Sequence, residues 1–276
     1  MPCVGVVDFV RDSVIFVYML ASTVSFASIL LYKYPQACHS IPLLRTLFLF
    51  GKCAPIKESK YPLLQVPKRF FAHFYVTAVI IPLLTLFVAL YRHCSATATN
   101  AALLAMFCHA LKRLYENLFV HVFSNSKMSV AHYFFGHFFY LTMSPCIYWS
   151  SRYTDKRGMV SVISYMFCAV FIMTLQHLVM RQLAHARICA SKDKQNTYLV
   201  PKGYMFTYLT CPHFSLEIAL YVLNHVFLGF HLMPFTAVFL FVLSNQLCSG
   251  VINHLWYLVH FSEFAQSRKI LIPFIF

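Results

Sequence analysis

FAHFYVTAVIIPLLTLFVALY, residues 71–91, runs without one Asp, Glu, Lys or Arg. About 20 such residues, wound as a helix, span the hydrocarbon core of a bilayer. Similar runs recur at 13–32, 99–121, 129–150, 158–180, 207–230 and 234–260. The sequence therefore predicts an all-α, polytopic membrane protein with about seven transmembrane helices. Composition agrees: 60% of the 276 residues are hydrophobic and 11% charged, whereas a soluble domain carries about 25% charged residues. The first run is too long and too poorly punctuated for a cleaved signal peptide. No linker or repeat divides the chain. An N-terminal span and cytosolic loop (1–65) precede one integral unit (66–276).

Basic residues set the orientation. The segments following spans 1, 3, 5 and 7 hold 17 of the 22 lysines and arginines. The positive-inside rule places that side in the cytosol, so the N-terminus is expected in the lumen and the C-terminus in the cytosol. The short basic loop at Arg152–Arg157 runs against this pattern. The net charge of +14 is then largely a membrane signature, through topology and anionic headgroups, and no nucleic-acid partner is implied.

Metal and soluble-type nucleotide sites find no support. None of the ten cysteines forms a C-x-x-C pair, so neither zinc nor redox chemistry is signalled. The fourteen histidines are dispersed, with His132 and His137 the nearest pair, whereas membrane di-iron sites need tight clusters. No G-x-G-x-x-G or P-loop occurs. Aromatic runs such as Phe138-Phe139-Tyr140 read as lipid-facing or packing residues.

Of eight carboxylates, only Glu116 and Glu217 fall within or at the edge of apolar helices. A charge at membrane depth is expensive and faces a partner or a wet cavity. Lys112 and Arg113 lie four and three residues before Glu116, on one helix face. That arrangement reads as a salt-bridge cluster at the cytosolic boundary or as part of a site. Glu217 has no cation near it in sequence, which leaves a cross-helix ion pair or a ligand contact. Gln176, His177, Asn253, His254 and Tyr257 sit late in spans 5 and 7, and His213 lies one turn before Glu217. If spans 5, 6 and 7 are neighbours, these groups form a cytosol-facing polar cup roofed by the basic loop 181–202, suited to an anionic ligand.

Four segments carry a resemblance: VPKRFFAHFY (66–75), HALKRLYENLFVHVFSNSKMSVAHYFFG (109–136), VPKGYMFTYLTCPHFSLE (200–217), and INHLWY with SRKILIPFIF near the C-terminus. The chain from about residue 50 onward resembles the steroid 5-alpha-reductase family, within it the polyprenol (polyprenal) reductase branch. The resemblance implies NADPH-dependent reduction of a carbon–carbon double bond conjugated to a carbonyl, in the endoplasmic reticulum membrane. It carries cofactor binding onto Gln176, Arg187, Tyr198, His213, Glu217, Asn253, His254, Tyr257 and Arg268. Two positions depart from the family pattern: His213 stands where Asn is usual, and Leu199 replaces a common arginine.

The resemblance also bears on substrate. Steroid-reducing members hold the ketone with a tyrosine where this chain has Ala110, and Glu58 is out of register with their second carbonyl contact. A long-chain isoprenoid lipid fits better, with polyprenal as the immediate substrate because an unactivated alkene does not accept hydride. A donor must steady the developing enolate oxygen. His109, Tyr115, Glu116 and Tyr75 are the candidates. Three alternatives stay open: a steroid 5-alpha-reductase, an isoprenylcysteine or phospholipid methyltransferase suggested by Pro212-His213-Phe214 with Glu217, and a seven-span receptor or transporter.

Overall fold

The computed structural model describes residues 2–33, 65–92, 97–123, 127–150, 157–192, 199–230 and 234–273. Seven helices of 17 residues or more stand among them: α1 (Pro2–Lys33), α2 (Phe71–Tyr91), α3 (Thr97–Tyr115), α4 (Val130–Ser150), α5 (Met159–Lys192), α6 (Pro212–Leu228) and α7 (Phe235–His260). A short α8 (Ser262–Gln266) follows α7. Four stretches have the length and apolar composition of a membrane crossing: Gly5–Ile29, Lys68–Tyr91, Met159–Ala190 and Phe235–His260. Among the other three long helices, α3 is diluted by Asn100, Lys112 and Arg113, and α4 by His132, His137 and small polar residues. Helix α6 has only 17 residues.

Helix α3 is the hub. It packs against α2, α4, α5 and α6. Its buried face is Ala98, Ala101, Ala102, Ala105 and Ala110 with Leu103 and Met106, and small side chains let helix backbones approach closely. Helix α1 lies against α7 and touches α4, where the fully buried Tyr18 hydroxyl meets Thr142 Oγ1 at 2.6 Å. The outward faces are apolar: Phe87 is 67% exposed, Phe167 73% and Val160 79%. Side chains of that size and exposure suit lipid, not water.

A two-stranded sheet sets the register of α2 against α4. Strand β1 (Gln65–Pro67) pairs antiparallel with β2 (Lys127–Ser129), Val66 opposite Met128. Strand β2 leads directly into α4, and β1 leads into α2 through a 3₁₀ turn over Lys68–Phe70. The two helices then run side by side in the same direction, with His73 Nδ1 2.9 Å from the Tyr133 hydroxyl and Thr77 Oγ1 3.1 Å from His137 Nδ1.

Two sequence expectations change. The basic segment 181–202, read as a loop, is helical as far as Lys192. Helix α5 contains no Gly or Pro, and QLAHARICASK is rich in strong helix formers. The sixth run begins later than expected, at Pro212, after a 3₁₀ turn over Tyr204–Thr207. Proline at the first helical position is favourable there because it lacks only an N–H that would be unpaired anyway. The helix stops at Gly229, whose φ of 104° is the left-handed cap that glycine adopts without strain.

The C-terminal motif has a structural role. Lys269 and Ile270 carbonyls accept from the backbone N–H groups of Thr210 and Cys211, and Leu271 O accepts from the Ser215 hydroxyl. Leu271 seats on Gly250 of α7, where an added Cβ would lie 3.0 Å from its Cδ1. The tail thus ties the start of α6 to α7.

Candidate active site

His109, Lys112, Arg113 and Glu116 recur at three- and four-residue spacing, so α3 presents them on one face. At Glu116 the helix widens into a π turn, Glu116–Val120, closed by His121 N–H donating to Glu116 O at 2.7 Å. Such turns are frequent at functional sites. Here it ends α3 with Glu116 1% exposed.

A buried carboxylate needs compensating donors. Glu116 has three. Arg113 donates to Oε2 at 2.9 Å, while Lys112 Nζ and His177 Nδ1 lie 3.4 and 3.0 Å from Oε1. Arg113 also donates to the Tyr75 hydroxyl of α2 at 2.9 Å, and its guanidinium lies 5.3 Å from the Tyr75 ring centre.

Glu217, on the second turn of α6, carries the other half of the site. Its Oε1 is 3.2 Å from His109 Nε2, and its Oε2 accepts from Gln176 Nε2 at 2.6 Å. Because a carboxylate only accepts, Nε2 is the protonated nitrogen of His109. His109 Nδ1 is buried with no hydrogen-bond partner among the described residues, in a residue only 7% exposed. Lys112 closes the network by donating to Gln176 Oε1. Side chains from α2, α3, α5 and α6 therefore form one connected set, in which two cations balance two carboxylates.

Tyrosines line the inner side of this set. The Tyr140 ring of α4 lies 5.9 Å from that of Tyr75. Tyr140 is within electrostatic range of Tyr75, Tyr221, Glu217 and Arg113, and Tyr221 is 2% exposed.

The remaining expected residues group separately, on the side of α5 and α7 that faces the 204–211 segment. Tyr257 is within electrostatic range of Arg187. Arg187 donates to Val122 O at 3.0 Å. His254 Nδ1 is 3.1 Å from Thr210 Oγ1. Arg268 is held by the Phe206 and Phe264 carbonyls at 2.6 and 2.8 Å and lies 4.3 Å over the Phe264 ring. Its guanidinium clasps the backbone around the 3₁₀ turn. Asn253 is half-buried late in α7, and the His213 and Phe214 rings lie tilted at 47° with centres 4.0 Å apart. Tyr198 and Glu58 lie outside the described residues.

Of the four donor candidates, the structure separates Tyr115 from the rest. Tyr115 is 53% exposed, beside Phe119 and His177, while Tyr75, His109 and Glu116 share the inner network. Sequence reading missed Tyr140 and Tyr221. Tyr140 sits in an aromatic run that reads as lipid-facing, and only the register of α4 against α2 turns it inward. The one available signal was a phenol among phenylalanines.

Comparison with known proteins adds a family and several relatives. The family model described as 3-oxo-5-alpha-steroid 4-dehydrogenase matches residues 119–276. The polyprenal reductase of Caenorhabditis elegans is 29% identical, covering 94% of this chain and 95% of its own. The human polyprenal reductase is 26% identical over 85% and 86% of the two chains, and that of Drosophila melanogaster 26% identical over 84% of each.

Proposed function

Because the chain belongs to the 3-oxo-5-alpha-steroid 4-dehydrogenase family, we infer that it reduces the double bond next to the aldehyde of polyprenal, on the route to dolichol and so to protein N-glycosylation. One observation carries this reading: relatives matching almost the whole chain are polyprenal reductases. Ala110 supports it against a steroid substrate, since the resemblance puts a ketone-holding tyrosine there in steroid-reducing members. Membership of a reductase family argues against the methyltransferase alternative, and the buried network of acid, base and amide against a receptor. The catalytic unit in this reading is 66–276.

NADPH is the reductant that fits. Its nicotinamide carboxamide offers two N–H donors. The Gln176–Glu217 pair offers part-buried acceptors to match. Its phosphates suit Arg187 at the cytosolic end of α5, next to Tyr257, with His213, Asn253, His254 and Arg268 as further contacts and Tyr198 carried over from the resemblance alone. When bound, the cofactor supplies a hydride to the β carbon of the enal.

The chain's own residues handle the charge and the proton. Negative charge builds on the aldehyde oxygen as the enolate forms. Tyr75 is the donor placed for it, because Arg113 already occupies its oxygen as a donor and leaves the phenolic proton free. Glu116 is a positioning residue that holds Arg113. His109, with its Nε2–H donated to Glu217, is the group that carries a proton to the α carbon: doubly protonated, it gives up the proton on Nδ1, returns to the neutral ring and regains a proton from water. One hydride and one proton convert the enal to the saturated aldehyde.

In this reading seven helices cross the endoplasmic reticulum membrane, with the site and its cofactor cavity facing the cytosol. An N-terminal glycosylation tag is then expected to be modified and a C-terminal tag to stay unmodified. A glycosylated C-terminal tag would overturn the orientation.

The function itself is tested with membranes containing the protein, NADPH and polyprenal. Saturated aldehyde should form, and cells lacking the protein should accumulate polyprenal and lose dolichol. Conversion of a 3-oxo-Δ4 steroid with no conversion of polyprenal would replace this reading with the steroid one. Arg187→Ala should raise the NADPH concentration needed for half-maximal rate, by the roughly 1.5–3 kcal/mol of a charge-assisted hydrogen bond. Unchanged NADPH dependence would remove Arg187 from the cofactor site.

A further inference from the structure

Resting on the reductase reading, we propose that the Tyr140 hydroxyl is the second donor to the substrate's carbonyl oxygen, opposite the Arg113-held hydroxyl of Tyr75. An enolate oxygen has lone pairs for two donors, and a preorganised pair stabilises it better than one. The sheet that pairs Val66 with Met128 fixes how α2 lies against α4. That register brings the Tyr75 and Tyr140 rings to 5.9 Å with an interplanar angle of 56°. Two phenols tilted at that distance can aim their hydroxyls at a common point rather than stack.

Tyr140 also has a hydroxyl to give. Among the described residues it has no hydrogen-bond partner, and the same is true of Tyr221. Tyr140 is part-buried and Tyr221 buried, and neither hydroxyl is among the fully buried unpaired polar atoms of the described residues, so both keep access to open space. The tyrosine that meets α4 from α1, Tyr18, does so through Thr142. Tyr140 instead lies within range of Arg113 and Glu217, the two charges that organise the site. Tyr221 stands on α6 one helical turn beyond Glu217. The geometry is a wall of phenols facing one polar cluster, with one hydroxyl already primed and a second unspent.

The test compares Tyr140→Phe with wild type in purified, reconstituted protein that reduces polyprenal. Loss of one such donor typically costs 10²–10³-fold in kcat, so kcat should fall by about a hundredfold. KM for NADPH should stay within about threefold, since the phenol touches the substrate and not the cofactor. Tyr75→Phe should behave alike, and the double variant should lose less than the product of the two single losses, because both hydroxyls serve one oxygen. Fluorotyrosine at position 140 keeps the hydroxyl and strengthens it as a donor, so its rate should match or exceed that of wild type. Wild-type kcat in Tyr140→Phe overturns the proposal and leaves the reductase reading intact. So does a parallel loss of NADPH binding, or a fluorotyrosine variant as slow as the phenylalanine one, since either would mark Tyr140 as a packing residue. A wild-type protein inert toward polyprenal would instead end the reading beneath it.

Discussion

Glu116→Gln is expected to cost this protein about 3–5 kcal/mol of stability, the usual penalty for removing one partner of a buried ion pair. The glutamate is 1% exposed and receives Arg113, Lys112 and His177. Glutamine has the same shape but no charge, so two buried cations would share Glu217 alone. For a chain of this size, roughly 2–4 °C of melting temperature go with each kcal/mol, which puts the expected drop on the order of 10 °C. Heating detergent-solubilised protein and measuring the monodisperse fraction gives the number. Adding Arg113→Met to Glu116→Gln should recover part of the loss, because replacing both partners by neutral groups removes the uncompensated charge. The double variant should remain inactive, since Tyr75 loses the donor that primes it. A single variant as stable as wild type would mean that Glu116 is not the charge holding α3 to α2 and α5.

Much of this architecture was legible in the sequence because lipid imposes a simple rule on it. Apolar runs free of charge mark helices, and 71–91 and 234–260 reappear as α2 and α7 within one residue. Places where the sequence misled are those where the signal is local but the cause is not. Helix α5 continues beyond its apolar part to Lys192, since polar helix formers do not end a helix. The candidate site follows the same division. Charges stand out in an apolar chain, so Glu116 and Glu217 were conspicuous, and the spacing of Lys112 and Arg113 foretold their shared face. Their cross-helix partners are fixed by packing. Nothing in the letters joins His109 to Glu217 across 108 positions, or Tyr75 to Arg113. The expected single cup divides into an inner network around Glu217 and a rim around Arg187 and Tyr257, because Asn253, His254 and Tyr257 lie on the part of α7 that faces the 204–211 segment and the tail.

Glu217→Gln should leave the protein folded but slow. Its carboxylate accepts two hydrogen bonds at once, from His109 Nε2 at 3.2 Å and Gln176 Nε2 at 2.6 Å. A glutamine can accept with its oxygen, but its amide then faces the other donor, so one of the two contacts fails. Charge-assisted bonds are roughly twice as strong as neutral ones, and the surviving contact is weakened as well. Folding should tolerate the change, because removing a buried charge relieves its desolvation while the nearby cations keep Glu116. Activity should fall at least about tenfold, or roughly 1.4 kcal/mol. The form of the loss separates two roles for this carboxylate. If Glu217 mainly meets the nicotinamide carboxamide, KM for NADPH rises and kcat changes little. If it mainly holds His109 for proton delivery, kcat falls while NADPH dependence stays put. The structure favours the second, since both carboxylate oxygens are already engaged by protein donors and His109 Nδ1 is the atom left facing inward. A Glu217→Gln enzyme with wild-type kcat and wild-type NADPH dependence would reduce the residue to an internal strut between α3, α5 and α6.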